Sequence, residues 1–182
     1  ILIHRGLEAG GKRLAPVNRH RSRRDPTERG VQALARIAGI VQVRIGGDLA
    51  AVTGIIKHVL ERGARAHAEG KPPLLDEAFI ETHTEGFDAL LASVQAADWR
   101  EIEHESGLTE ARLRGAGERF LRAERAIVCW GMGITQHKRS VATIQMLVNL
   151  MLLRGHIGRP GAGICPVRGH SNVQGDRTMG IH

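Results

Sequence analysis

Aromatic side chains are scarce in this 182-residue sequence, which contains three Phe, two Trp and no Tyr. Hydrophobic residues nevertheless make up 42% of the chain, a content typical of a folded domain rather than a disordered one. The length is sufficient for one ordinary domain with its own core. The sequence therefore predicts one folded unit with a mainly aliphatic core.

Long hydrophobic runs are also absent. The longest, Ile144 to Leu153, contains Gln145 and Asn149 and is shorter than the roughly 18 to 20 apolar residues that a membrane helix needs. The opening "ILIHRGLEAGGKR" lacks the apolar stretch of a secretory signal. We expect no membrane span and a cytoplasmic location. Because no initiator Met is present, we also expect a fragment or a processed chain.

Cysteine is nearly absent as well. Cys129 and Cys165 are the two in the sequence, and they provide neither a disulfide framework nor the spacing of zinc ligands. We expect two buried or half-buried reduced thiols, as is usual in a reducing compartment.

Positive charge is concentrated at the two ends. Residues 1–40 contain nine Lys and Arg against three Asp and Glu, and residues 137–182 contain six against one. Basic ends suit a phosphate-bearing partner, so a basic nucleic-acid-binding module is one alternative function. The lack of stacking aromatics and of a binding motif disfavours it, and nucleic acid is not expected as a partner. Residues 1–39 are predicted to be a solvated basic arm or loop.

The segment "VRIGGDLA" predicts a strand, a glycine turn and then a helix. The β-forming residues of 40–45 predict the strand. Gly46 and Gly47 allow a tight turn, and Asp48 is a good helix N-cap. The apolar positions that follow have helical spacing and predict a helix that ends near Gly63.

The segment "VCWGMGITQH" repeats this order. A strand is predicted over 126–130, a glycine turn follows, and Val141 to Leu153 form a strongly apolar helix. Four shorter helices are predicted between the two segments, with caps at Asp76, Thr84, Asp98 and Thr109. A short extended piece at 164–167 lies in the glycine-rich region that follows.

Helices alternating with short apolar strands predict an α/β layered unit with a small, mostly parallel sheet. Residues 40–160 are assigned to this domain and residues 161–182 to an irregular, glycine-rich loop region. Both glycine turns are expected at the carboxyl edge of the sheet, where ligands bind in such folds. The turns alone are weak signals, because the full dinucleotide fingerprint is absent.

The end of the chain, "RGHSNVQGDRTMGIH", is rich in hydrogen-bonding side chains. Arg168 can hold a carboxylate or a phosphate through two bonds. A cluster of polar groups after a glycine-rich loop suggests a bound partner, although a solvated terminus is the alternative. The HExxH, GxSxG and Walker motifs do not occur.

At this point the sequence resembles a known family. "GMGITQH", followed by "IGRPGAGICPVRGHSNVQG", is similar to the catalytic (alpha) subunit of molybdopterin-dependent oxidoreductases, in the formate dehydrogenase-like branch of the dimethyl sulfoxide reductase superfamily. The resemblance covers residues 41–182 and identifies the chain as an internal fragment of such a subunit. It implies Rossmann-like domains and a molybdenum or tungsten ion held by two molybdopterin guanine dinucleotides.

The resemblance also implies roles for individual residues. It places Arg168 at the carboxylate of a small anionic substrate, with His170 as its catalytic neighbour. The residues that it implies for cofactor binding are Gly46, Gly47, Asp48, Gly131, Met132, Gly133, Thr135, Gln136, Asn172, Gln174 and Gly175. Their neighbours His137, Gly169 and Ser171 are further candidates, because they lie just after the second turn or in the polar end of the chain. No residue of this chain is expected to ligate the metal.

The implied reaction is a two-electron oxidation in the full-length parent. Electrons would leave through an iron–sulfur (4Fe-4S) cluster, held outside this chain, to an electron-transfer partner. The isolated chain is expected to be inactive. A structural fragment that binds no ligand is the remaining alternative.

Overall fold

The computed structural model describes residues 41–167 and 178–180. Helices dominate this part of the chain. Its elements are α1 (Asp48–Ala68), α2 (Glu77–His83), α3 (Phe87–Ala96), α4 (Trp99–Ser106), α5 (Glu110–Arg122), β1 (Ile127–Trp130), α6 (Met132–Thr135), α7 (Ser140–Leu152) and β2 (Gly163–Pro166). None of the described helices is long and apolar enough to cross a membrane.

Helix α1 lies at the centre, and α3, α4, α5 and α7 pack around it. The described core is mainly aliphatic, as predicted, and Phe120 is an aromatic member. Its fully or nearly fully buried members include Val52, Ile56, Val59, Val94, Leu113 and Met151. Burying each such side chain stabilises the fold by roughly 1.5 to 3 kcal/mol.

The end predicted for α1 near Gly63 is wrong, because the helix continues to Ala68. Gly63 lies inside the helix, where a Cβ atom would come 3.1 Å from Leu75 Cγ. Close packing therefore accounts for this glycine. The chain instead turns at Gly70, which has a φ of +64°, a backbone conformation that glycine adopts at little cost.

A strand was predicted over 40–45, but the described residues 41–45 do not form one. This segment lies against the end of α4: the Arg44 N–H donates to the Ser106 carbonyl at 2.8 Å, and Arg44 Nη1 donates to the His104 carbonyl at 2.5 Å. A strand needs a neighbouring strand for its backbone groups, and a helix end takes that place here.

Asp48 was predicted to be the N-cap of α1, and this prediction is wrong. Gly47 is the cap and Asp48 is the first helical residue. The negative charge of Asp48 still suits the positive end of the helix dipole, so the residue type is right and its position is displaced by one.

The caps of the shorter helices mostly follow the sequence. Asp76 accepts a hydrogen bond from the Phe79 N–H at 3.2 Å, and Asp98 accepts one from the Arg100 N–H at 3.1 Å. Thr109 is the N-cap of α5. Thr84 instead ends α2, where its hydroxyl donates to the Ile80 carbonyl at 2.7 Å, and Gly86 caps α3.

Strands β1 and β2 form a two-stranded parallel sheet in the described part of the chain. The strand predicted over 126–130 and the extended piece predicted over 164–167 are confirmed to within one residue. The fold is thus rich in helices with a small parallel sheet. Segment 40–45 was expected to be a strand of this sheet, but its described residues 41–45 are not part of it.

The expected burial of the two thiols is also wrong, whereas both are free, as predicted. Cys129 and Cys165 are both exposed. The burial of β1 alternates: Val128 and Trp130 pack against the core, so Cys129 points to the opposite face.

Candidate cofactor site

The carboxyl ends of β1 and β2 lie side by side. Trp130 is paired with Pro166, and the Val167 N–H donates to the Trp130 carbonyl at 2.7 Å. A Cβ atom on Gly131 would lie 3.5 Å from the Val167 carbonyl oxygen. Gly131, which begins segment 131–137, therefore lies next to Val167 at one edge of the sheet, which we call the sheet edge.

The turn after β1 contains a single-turn helix, α6, which sequence reasoning did not predict. Gly131 is its N-cap, and the Ile134 N–H donates to the Gly131 carbonyl at 3.0 Å. The predicted site residues that are exposed here are Met132, Gly133, Thr135 and Gln136. Hydroxyl, amide and backbone groups are thereby presented on an open surface.

His137 ends this turn and is half-buried. Its carbonyl accepts a hydrogen bond from the Ser140 N–H at 3.1 Å, which connects the turn to the start of α7. The backbone of His137 therefore has a structural role, and its ring remains a predicted cofactor contact.

The first predicted turn differs from the second. Gly46 is exposed with a φ of +82°, whereas Gly47 and Asp48 are buried. A Cβ atom on Gly47 would collide with the Glu105 carbonyl oxygen and lie 2.8 Å from Ser106 Cα. Gly47 thus lets the chain approach the end of α4. The cofactor roles proposed for these three residues stay predictions.

The end of α4 connects the two turns. Arg139, just after the second turn, forms an ion pair with Glu105 at 3.0 Å between Nη1 and Oε2. The carbonyl of the same Glu105 faces Gly47. The fold therefore brings the predicted turns to one helix end, although it places Gly47 inside and leaves the α6 turn open.

A polar network around the buried His58 holds the scaffold behind the site. His58 Nδ1 lies 3.0 Å from Arg114 Nη1, and His58 Nε2 lies 2.9 Å from Glu118 Oε1. Since arginine only donates, His58 Nδ1 accepts from Arg114 and His58 Nε2 donates to Glu118. Burial raises the pKa of the Glu118 carboxyl, but hydrogen bonds from His58 and Arg62 outweigh it and lower this pKa below its ordinary value.

This network joins α1 to α5. Sequence reasoning missed it because its partners lie more than fifty positions apart, as His58 and Arg114 do. No local motif connects such residues. A lone His on a helix offers no signal until the packing of the two helices is known.

His156, in the loop between α7 and β2, is completely buried. Its ring meets the Phe120 ring edge-on, at 5.4 Å between centroids. Neither ring nitrogen has a hydrogen-bond partner among the described residues. Burial lowers the pKa of His156, the positive charges of Arg154 and Arg159 lower it further, and Asp76 opposes them.

Two arginines fasten this loop to the end of α5. Arg154 donates to the Leu121 carbonyl at 2.8 Å and to the Ala123 carbonyl at 3.3 Å. Arg159 Nη1 donates to the Glu124 carbonyl at 3.1 Å. These bonds fix the approach to β2 and thereby help to position the sheet edge.

The predicted substrate and cofactor loop, Arg168 to Gly175, lies outside the described residues, as does the basic arm 1–39. The roles of Arg168, Gly169, His170, Ser171, Asn172, Gln174 and Gly175 stay predictions. In the described ranges, no three or more His, Cys, Asp and Glu residues are grouped so that they could hold a metal ion.

Comparison with known proteins shows what the chain is similar to. The molybdopterin oxidoreductase family matches residues 47–180. Protein YdeP of Escherichia coli K12 is 53% identical over 139 residues, which cover 76% of this chain and 18% of the relative. The uncharacterized oxidoreductase Rv2900c of Mycobacterium tuberculosis H37Rv is 43% identical over 141 residues, or 78% of this chain and 18% of the relative.

Formate dehydrogenase H of E. coli K12 is 37% identical over 117 residues, which cover 64% of this chain and 16% of the relative. The chain thus spans about a fifth or less of the length of these relatives. The matches do not support a nucleic-acid-binding module. Since the family match includes α1, the sheet edge and nearly the whole described core, this chain belongs to the molybdopterin oxidoreductase family.

Proposed function

We propose that this chain is an internal part of an oxidoreductase that binds a molybdenum or tungsten bis(molybdopterin guanine dinucleotide) cofactor. The observation that carries the proposal is the sheet edge. There the open α6 turn lies beside Val167, the described residue that precedes the polar segment 168–175 in the sequence. Ligands bind at the carboxyl ends of parallel strands in α/β folds, and the family match supplies the class of ligand.

The residues present at this edge fit such a cofactor. Thr135 and Gln136 offer an exposed hydroxyl and amide, and Gly133 offers exposed backbone. Hydrogen-bond donors of this kind suit the phosphates and the base of a guanine dinucleotide. The strand, turn and helix formed by β1, α6 and α7, with β2 parallel to β1, support a Rossmann-like origin for this part of the fold.

When bound, the metal supplies the two-electron acceptor for the reaction. This chain's own residues would position the reactants. Arg168 would hold the carboxylate of a small anionic substrate by two parallel hydrogen bonds, and His170 would stand beside it. Gly169, Ser171, Asn172, Gln174 and Gly175 would contact the cofactor.

The remaining parts of the proposal concern the longer protein. A 4Fe-4S cluster outside this chain would pass the electrons to a partner protein, and the reaction would take place in the cytoplasm. The resemblance to formate dehydrogenases and the relative named formate dehydrogenase H support a small anionic substrate of the formate kind.

Metal and pterin analysis of the longer natural protein tests the proposal. We expect one molybdenum or tungsten ion and two pterin guanine dinucleotides for each chain. A purified, folded protein that contains neither, after expression in a host that makes the cofactor, would contradict it. DNA binding that falls steeply with salt would instead favour the nucleic-acid alternative.

A further inference from the structure

The sheet brings two cysteines together that are distant in the sequence. Cys129 on β1 is the direct register partner of Cys165 on β2. Helices α6 and α7 lie between them in the chain. Both thiols are free and exposed, and neither is among the residues proposed to hold the cofactor.

Strand geometry places this pair within reach of a covalent bond. Neighbouring strands lie about 4.7 to 4.9 Å apart, and the Cα atoms of a disulfide usually lie about 4.4 to 6.8 Å apart. Side chains of register partners in a parallel sheet point to the same face. A disulfide therefore needs little movement of the backbone.

The environment of Cys129 shows the same proximity. Partial loss of solvent raises the pKa of its thiol, and the neighbouring thiol of Cys165 raises it further through its charge and a hydrogen bond. A hydrogen bond between the two thiols requires their sulfur atoms to be close, which agrees with the strand register.

We propose that Cys129 and Cys165 form a redox-modification site, in which a small-molecule disulfide such as oxidised glutathione converts the two thiols into an intramolecular disulfide. The thiolate of one cysteine attacks a sulfur of the small disulfide, forms a mixed disulfide and expels one small thiolate. The second cysteine, as its thiolate, attacks the protein sulfur of the mixed disulfide. The Cys129–Cys165 bond forms and the second small thiolate leaves.

The step is balanced. The protein dithiol loses two electrons and two protons, and the small disulfide gains them as two small thiols. The new bond would join β1 and β2 just before the Gly131 turn and just before Arg168. The site is independent of the proposed function, because it rests on the strand register and on the exposure of the two thiols.

Mass spectrometry of the whole 182-residue chain tests the proposal. The reduced, folded chain is treated with oxidised glutathione, quenched with an alkylating agent, and digested without reduction. We expect both thiols to be lost together, no glutathione to remain attached, and a peptide pair linked through Cys129 and Cys165. This readout needs no variant.

Two controls sharpen the test. Cys129→Ser and Cys165→Ser should each stop at a mixed disulfide with one glutathione. In denaturant the wild-type chain should resolve its mixed disulfide at least about tenfold more slowly, because strand pairing no longer holds the thiols at a high effective concentration. A folded wild-type chain that keeps two glutathiones, keeps two free thiols or forms only interchain bonds would overturn the proposal.

Discussion

Large apolar side chains are placed differently in two regions of the molecule. One region is the helical body, formed by α1 to α5 with α7, and the other is the β1–β2 sheet with the turn after β1, residues 127–137 and 163–167. In the helical body, large apolar side chains such as Ile56, Leu113 and Met151 are inside. In the β1–β2 sheet and the turn after β1, comparable side chains face outward: Ile127, Met132, Ile164 and Val167. The helical body stabilises the fold through its own buried contacts, whereas the sheet and its turn expose an apolar surface that a ligand or a neighbouring part of a protein can cover.

Glycines show the same contrast. A Cβ atom on Gly54 of α1 would lie 2.8 Å from Leu113 Cδ1, and one on Gly117 of α5 would lie 2.7 Å from His58 Cδ2. By contrast, Gly46 has nothing within 4 Å of that position, and Gly131 only a carbonyl oxygen at 3.5 Å. Glycine permits close helix packing at Gly54 and Gly117 and leaves open space at the turns of Gly46 and Gly131, so counting glycines in the sequence does not separate the two roles.

The largest expected effect compares two methionines. Met151→Ala removes a fully buried side chain of α7 and should lower the free energy of unfolding by about 2 to 5 kcal/mol. Met132→Ala, at the sheet edge, removes a side chain that is 46% exposed and should cost about 0.5 kcal/mol. Urea unfolding of both variants measures the difference. Equal losses would show that the two regions are not distinct in stability.

A pair of glycine substitutions sharpens the comparison within helices. Gly54→Ala should destabilise the chain by about 1 to 3 kcal/mol, because its methyl group would crowd Leu113 and Ile102. Gly115→Ala in α5 has open space and should stabilise the chain by up to about 1 kcal/mol. Thermal unfolding gives both values. A stabilising Gly54→Ala would mean that the helices do not approach as closely as the structure has them.

Arg168→Lys, in the longer natural protein, tests the proposed substrate contact. Lysine keeps the charge but lacks the planar fork, so kcat/KM should fall about tenfold or more, since about 1.4 kcal/mol is a factor of ten. Cofactor content should stay normal, and Arg112→Lys, on the exposed face of α5, should leave the kinetics unchanged. Loss of metal and pterin together with activity would instead make Arg168 a cofactor ligand.

The smallest expected effect concerns pH. Because the folded-state pKa of His156 is lowered, the unfolded chain binds its proton first as the pH falls. The free energy of unfolding should therefore decrease below about pH 6.5, by up to about 1.4 kcal/mol per pH unit. His156→Phe should remove this part of the pH dependence, and exchange of the exposed His67 for Gln should keep it. An unchanged slope in His156→Phe would assign the effect to other groups.

Local signals in the sequence predicted much of the fold. Asp76 and Asp98 mark helix starts because a carboxylate acts on N–H groups only two or three residues away. The strand 126–130 was predictable because its apolar run has a parallel partner nearby in the fold. Segment 41–45 has the same kind of run, but no strand lies beside it among the described residues, and strand formation depends on the partner as much as on propensity.

The candidate site was predictable only in part. Motif resemblance identified the family and the Gly131 turn, because glycine and polar residues recur there at specific spacing. The burial of Gly47 and Asp48 was not visible, because it depends on how α4 packs against them. The adjacency of Cys129 and Cys165 depends on strand register, which no spacing in the sequence encodes.

The central claim is that the cofactor binds at the sheet edge. Anomalous X-ray scattering from the metal, in crystals of the cofactor-loaded longer protein, tests it most directly. The account predicts that guanine dinucleotide density lies against residues 131–137 and that the metal lies on the side where β1 and β2 end. Metal and dinucleotide density located against the α1 to α5 body, away from that edge and from the turn at 46–48, would contradict it.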